Sequence, residues 1–439
     1  MRTRIFLFTG HTGLDKKLVL ETLRRTAADH GMAIDEIRIY ALEEYLPLVG
    51  QGRRRISVPG FLRAERPDSE QRRGWLEAFT GLRQTIEDED PRIAFVSLHA
   101  SFYRNHRLSS YIEPSAIKNL NPETIVTLID DVYSVWYRVW DREKRRITGS
   151  YFSLADLMTW RWVEVMLSDQ LAGVVGCPNY VVGIKHPGRM LYRLLFRRND
   201  HLTVYACIPI SEPRVHPQKR REVDAYRTEL HDRYIVFDPL TIDEKILSFL
   251  LTEQHPGWYL EGADALYRRP LVIPLDGRWH RWPPVFSERP ELTPLVSDWP
   301  SAYPLEVDAG EAVEICRAKS RLNPLPADPK SIGDSVVDHH IRLRDYRLID
   351  NSFAVPAYRP QFESHEPGGQ GDEILYAHRS GKDYVIFHDP HRDGALRGGP
   401  FPVLRENIVF SKEDLFIRLQ QFQEDYQNGG THREPPRPL

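Results

Sequence analysis

Strand-like apolar runs alternate with segments of helical periodicity along most of this chain, and that alternation restricts it to parallel α/β sheets. Arg4–Thr9 reads as a buried strand, Gly10–Asp15 as a turn and Lys16–His30 as a helix carrying Leu18, Leu20, Leu23 and Ala27. The pattern repeats with a helix at Trp75–Glu89, a strand at Arg92–Leu98, a short helix at Pro114–Leu120 and a strand at Thr124–Ile129. A helix over Leu154–Leu171 and a strand over Tyr180–Ile184 follow. A second series begins near residue 200, with strands at Leu202–Ile208 and Tyr234–Phe237 around a helix at Lys219–Asp232. Further along come a helix through Ile341–Leu348, a strand at Phe353–Tyr358, a helix through Glu373–His378, a strand at Tyr384–His388 and a last helix at Ser411–Glu424. The expectation is two three-layer α/β domains: residues 1–198 and residues 199–412, the second interrupted by an insertion at about 255–328. A C-terminal helix at 413–428 and a polar tail at 429–439 complete the chain.

Several classes of function are disfavoured. With 59 basic and 62 acidic residues the net charge is −3, so no global field holds a nucleic acid and none is expected as a partner. The three cysteines are widely spaced and form no CxxC pair, which fits a reducing cytoplasm and no metal site. His339, His340, His388 and His391 lack a cysteine or acid at ligand spacing and read as surface residues. The first apolar run is too short for a signal peptide, and no stretch approaches the ~20 residues of a membrane span. The expectation is a soluble cytoplasmic protein. Trp258, Trp279, Trp282 and Trp299 read as packing within the insertion, with base stacking as the alternative.

The segment Gly10-His11-Thr12-Gly13-Leu14-Asp15-Lys16-Lys17 sits where a phosphate-binding P-loop belongs, between a strand and a helix. Gly10 and Lys16 have the separation of the G-x-x-x-x-G-K-[ST] pattern. Asp15 replaces its second glycine and Lys17 its hydroxyl residue. Downstream lie His99-Ala100 at a strand end, Leu120-Asn121-Pro122-Glu123 before a strand, and a charged run over Arg138–Arg146. This order resembles the archaeal-type adenylate kinases over residues 1–190. The resemblance implies a P-loop NTPase-like fold in which Gly10, Gly13 and Lys16 bind nucleotide phosphate and Arg142, Arg145 or Arg146 close over it. ATP with Mg²⁺ is the cofactor it admits. The plain alternatives are a strand–turn–helix with a solvated lysine, and a solvated charge run.

The most specific pattern is Gly368-Gly369-Gln370-Gly371-Asp372-Glu373-Ile374-Leu375-Tyr376-Ala377, ahead of a strand. Glycines there let a ligand approach the backbone. Glu373 is expected on the first turn of the following helix, where the helix dipole keeps a carboxylate ionised. The run resembles the nucleoside 2-deoxyribosyltransferase family, with Gly369, Gly371, Glu373, Ile374 and Ala377 matching and Leu375 replacing the usual glycine. Thr203–Pro209 resembles the family's first strand. The resemblance covers about residues 200–410 and implies a flavodoxin-like sheet and an oligomer whose neighbouring subunits complete the site. It implies Glu373 as the nucleophile at the sugar C1′, Asp345 as the group handling protons at the leaving base or helping to fix it, and Tyr205 as the group orienting Glu373. Ser211, Arg214 and Arg359 would bind the 5′ side of a substrate, and Gly369 and Gly371 would border it. Each has a plainer alternative: Glu373 as a dipole-stabilising carboxylate, Asp345 as an ion-pair partner of Arg342 or Arg344, Tyr205 as core.

These readings favour cleavage or transfer at the N-glycosidic bond of a nucleoside or nucleotide, needing no cofactor, with the N-terminal half as a nucleotide-binding domain. The alternatives are a nucleotide kinase and a non-catalytic nucleotide sensor that assembles with itself or another protein.

Overall fold

A computed structural model describes residues 2–46, 68–104, 107–132, 135, 154–210, 217–242, 271–275, 278–282, 305–307, 333–361, 368–397, 401 and 404–428. The chain divides into two compact units, one of Met1–Ile184 with Pro438–Leu439 and one of Lys185–Arg437. The division falls ahead of the expected 198/199 boundary. It assigns a helix at Gly188–Phe196 to the second unit.

The first unit runs β1 (Arg4–Thr9), α1 (Lys16–Asp29), β2 (Ile37–Ala41), α2 (Asp68–Glu89), β3 (Ile93–Ser97), a hairpin of β4 (Phe102–Arg104) and β5 (Arg107–Ser109), α3 (Pro114–Leu120), β6 (Thr124–Ile129), α4 (Leu154–Val175) and β7 (Asn179–Gly183). Its parallel five-stranded sheet has the order β2-β3-β1-β6-β7. The inner strands β3 and β6 are buried along their whole length, as expected of continuous apolar runs covered on both faces. On one face Leu7, Val96 and Ile125 pack with Trp75, Phe79 and Leu82 of α2. β2 was not expected from sequence; it is an edge strand in which only Ile37 and Tyr40 are buried, so its apolar signal is thin.

The second unit runs α5 (Gly188–Phe196), β8 (Thr203–Tyr205), α6 (Pro217–Arg233), β9 (Ile235–Phe237), β10 (Leu271–Leu275), β11 (Arg278–Trp282), β12 (Leu305–Val307), α7 (Gly333–Asn351), β13 (Ala354–Tyr358), α8 (Gly369–Arg379), β14 (Asp383–Phe387), α9 (Pro390–Asp393), β15 (Ile408–Val409) and α10 (Lys412–Gln427). The five-stranded sheet reads β9-β8-β13-β14-β15, all parallel. In order of appearance this is 2-1-3-4-5, the flavodoxin-like arrangement. Strands β10–β12 pair antiparallel in a separate small sheet, inside the expected insertion. The helix expected at the C-terminus is α10. Ser411 caps it, accepting the Asp414 amide at 3.0 Å, and Leu415, Phe416, Leu419 and Phe422 join the core over β8 and β13.

Both units are therefore parallel α/β sheets flanked by helices. Among the described residues no helix is long and apolar enough to cross a membrane.

Candidate functional site

In an open α/β sheet, ligands bind beyond the carboxyl ends of the strands, where the strand order reverses. In the second unit that point lies between β8 and β13. Beyond β8, Cys207 forms a parallel bridge to Ala357, and the Tyr358 amide donates to the Cys207 carbonyl at 2.9 Å. Gln370, in the first turn of α8, donates its amide to the carbonyls of Cys207 and Tyr358, each at 3.3 Å. That tie explains why α8 starts at Gly369, four residues before the expected start. Two glycines weaken a helical turn, and the buried glutamine fastens this turn to both central strands.

Glu373 lies one turn beyond Gln370 on the same helix face, with 9 % exposure. It opens the second turn rather than the first, where the acidic residue is Asp372. Burial, with Asp345 as a like charge, pushes the Glu373 carboxyl well above the usual carboxylate range. The expectation that the helix dipole keeps it ionised is thus corrected: desolvation outweighs a dipole whose effect fades beyond the first turn. Cys207, Tyr205 and Arg344 oppose the shift. Among the described residues, neither Glu373 Oε2 nor the Tyr205 hydroxyl has a hydrogen-bond partner, though both atoms are buried. Tyr205 stands close enough to Glu373 to favour its charged form as a donor, though the contact falls short of full hydrogen-bond geometry. Burial and the two carboxylates hold its phenol far above the ordinary tyrosine value.

Asp345 is buried on α7 and takes the Arg344 guanidinium at 2.8–2.9 Å, while Arg344 also donates to the Ile242 carbonyl. Of the two partners expected for Asp345 in the plainer reading, Arg344 is thus a real one, in the interior. The site gathers one carboxyl whose neutral form burial favours and one carboxylate held by a guanidinium. Environments that separate two acids in this way suit acid–base or nucleophilic work. Among the described residues, a Cβ placed on Gly368 or Gly369 would meet nothing within 4 Å, and both glycines are exposed. Gly371 is buried and its amide donates to the Gly368 carbonyl at 3.0 Å.

Arg359 follows β13 with a φ of 45°. Its guanidinium is taken by Asp393 and Glu222, and Glu222 also binds Arg392 at 2.9 Å. A substrate phosphate would have to displace these carboxylates. Ser211 and Arg214 lie outside the described residues, as do Arg142, Arg145 and Arg146.

The glycine loop of the first unit is built around a carboxylate that sequence reasoning missed. Gly10 has a φ of 139°, and a Cβ there would lie 2.8 Å from the Leu128 carbonyl oxygen and 2.7 Å from Leu14 Cδ1, so only glycine fits. Gly13 also has positive φ, at 86°. The Gly10 amide donates to Glu164 of α4 at 2.8 Å. Glu164 also accepts the Ala100 and Ser101 amides at 2.7 Å each and the Ser101 hydroxyl. The signal available in the sequence was an acid inside the apolar stretch Trp162–Leu167, between Trp162-Val163 and Val165-Met166. Lys16 Nζ donates to the Gly10 carbonyl at 2.7 Å and lies 3.1 Å from His99 Nδ1. His99 Nε2 in turn lies 3.4 Å from Glu43. Burial pushes both Glu43 and Glu164 up, and Lys16 opposes the shift in each.

This donor set does not suit a metal-chelated triphosphate. Two carboxyl groups flank Lys16, Lys17 offers no hydroxyl to Mg²⁺, and a carboxylate, Asp15, stands at the start of α1 where the pattern has its second glycine. Among the described residues no group of three His, Cys, Asp or Glu side chains is gathered to hold a metal ion.

No family model matches the chain. No curated protein matches it either. Among solved structures, an unliganded sugar kinase from Janibacter sp. HTCC2649 overlaps 45 % of this chain and 95 % of its own, at 12 % identity and a TM-score of 0.26. At that score the overlap carries no inference about fold or activity.

Proposed function

We propose that the second unit cleaves or transfers the N-glycosidic bond of a nucleoside or nucleotide, with Glu373 as the nucleophile. One observation carries this reading: at the strand-order reversal, on a helix that begins with exposed glycines, lies a buried glutamate with one oxygen that meets no hydrogen-bond partner among the described residues. In the reaction, the ionised Glu373 carboxylate attacks C1′. The C1′–N bond breaks and its electron pair leaves with the base, which takes up a proton from water relayed through Asp345. Water or a second base then attacks C1′ and releases Glu373 as a carboxylate. Positive charge developing at C1′ favours the ionised form that burial disfavours. Asp345, held by Arg344, lies close enough to raise the Glu373 carboxyl and is the group assigned to proton handling at the base. Tyr205 brings a buried hydroxyl free to donate to Glu373 once that carboxyl ionises. The first unit is proposed as a partner domain that binds a nucleotide at the Gly10–Lys16 loop without a chelated metal, which requires that the nucleotide displace the Glu164 and Glu43 contacts there.

The test is incubation of the full chain with nucleosides, dNMPs, dNTPs and NAD, followed by chromatography for free base. Base release that Glu373→Ala abolishes and Lys16→Ala leaves intact supports the reading. No free base from any substrate overturns it.

A further inference from the structure

Glu373 depends for its place on Gln370, a residue with no role in the chemistry above. The Gln370 side chain is buried, and its amide nitrogen lies 3.3 Å from two carbonyl oxygens on neighbouring parallel strands, Cys207 O and Tyr358 O. The same nitrogen lies 3.9 Å from Cys207 Sγ, and the Cys207 thiol lies 3.9 Å from the Gln370 carbonyl. A glutamine amide carries two hydrogens, one for each carbonyl. Asparagine is one methylene too short to keep both contacts, and leucine keeps the bulk but donates nothing.

We propose that Gln370 is the positioning residue for Glu373: it fastens the first turn of α8 across the β8–β13 crevice and so fixes where the next turn holds its carboxyl. The inference rests on the reading of Glu373 as nucleophile. Residues three apart on a helix share a face, so any roll or slide of the first turn carries Glu373 with it. Tyr205 and Cys207, which face the carboxyl and favour its charged form, are fixed to β8 and the bridge beyond it. The Gln370 side chain, which spans helix and strands, therefore helps set their alignment with Glu373. A displacement of about 1 Å at a reacting group costs on the order of a hundredfold in rate.

The test compares full-length Gln370→Leu and Gln370→Asn with the parent. Both are expected to lower kcat for base release by about 10–100-fold while KM changes less than about threefold. The ascending limb of the pH–rate profile is expected to move to higher pH, because two groups that favour ionised Glu373 lose their alignment. A readout independent of turnover is the infrared carbonyl band of protonated Glu373, assigned by difference against Glu373→Gln and titrated in each variant. Its midpoint is expected to rise in both. A folded Gln370→Leu or Gln370→Asn protein, checked by near-ultraviolet circular dichroism, in which Glu373 titrates at or below its parental midpoint overturns the proposal. If no substrate releases base, the proposed reaction falls, and the infrared titration alone decides whether Gln370 positions Glu373. Asparagine keeps an amide, so it remains a valid probe should leucine prevent folding.

Discussion

Glu164 accepts the backbone amide of Gly10 at 2.8 Å, so the glycine loop of the first unit is anchored to a carboxylate from α4. The same carboxylate takes the amides of Ala100 and Ser101 beyond β3. Glu164→Ala removes the acceptor and leaves three amides in a dry interior. The expected loss is roughly 3–5 kcal/mol, read by denaturant unfolding. Because burial raises the folded-state value of Glu164, the folded form binds the extra proton. The stability this provides is fully present below the unfolded carboxylate value and is lost as pH rises through the raised folded one. Unfolding midpoints of the parent that stay flat across that window, or climb with pH, would contradict the assignment.

Base release is expected to increase with pH as Glu373 ionises, with a midpoint above the ordinary glutamate range. The pH–rate profile of kcat/KM reads this directly. A midpoint at the ordinary glutamate value would mean that burial does not govern the nucleophile.

Tyr205→Phe separates stability from function. The hydroxyl has no partner among the described residues, so deleting it is expected to change unfolding free energy by less than about 1 kcal/mol or to stabilise. The same change is expected to lower kcat by about 10–100-fold, since an oriented donor to ionised Glu373 is lost. A large stability loss with unchanged kcat would place Tyr205 in the core and nowhere else.

The two glycine positions should respond in opposite ways. Gly10→Ala forces a Cβ against the Leu128 carbonyl at positive φ, and a loss of about 2–4 kcal/mol is expected. At Gly369 the added methyl meets open space, so Gly369→Ala should be neutral or gain up to about 1 kcal/mol. A rise in KM with unchanged kcat would then report a methyl group crowding the substrate.

Asp238 tests the acid side. Arg227 holds it at 2.9 Å and His231 lies 3.4 Å away, both buried, and Arg227 with His231 and His186 keeps the Asp238 carboxyl far below its ordinary value despite burial. The stability it contributes is present above the unfolded aspartate value and disappears as pH falls through the lowered folded one. Asp238→Asn should therefore flatten the acid limb of the unfolding curve for the second unit. An acid limb unchanged by the substitution would rule out this pair as its source.

The parallel α/β character was legible because inner strands such as β3 and β6 are unbroken apolar runs. Helix α8 was legible only from Glu373 onward, since the glycines before it signal a loop and the Gln370 tie is a tertiary contact. The importance of Glu373 could be read from its motif, but its raised proton affinity could not: that depends on Asp345, distant in sequence. Glu164 escaped notice for the same reason. An acid inside an otherwise apolar stretch of helix gives no hint of its partners when they lie 63, 64 and 154 positions away.

That last separation also orders events as the chain is made. The Gly10 loop leaves the ribosome long before α4, so its anchoring amide meets its acceptor only after most of the first unit has been synthesised. A fragment ending near residue 150 would contain every residue of the loop and none of its anchor, and hydrogen exchange at Gly10 in such a fragment should be as fast as in an unstructured peptide.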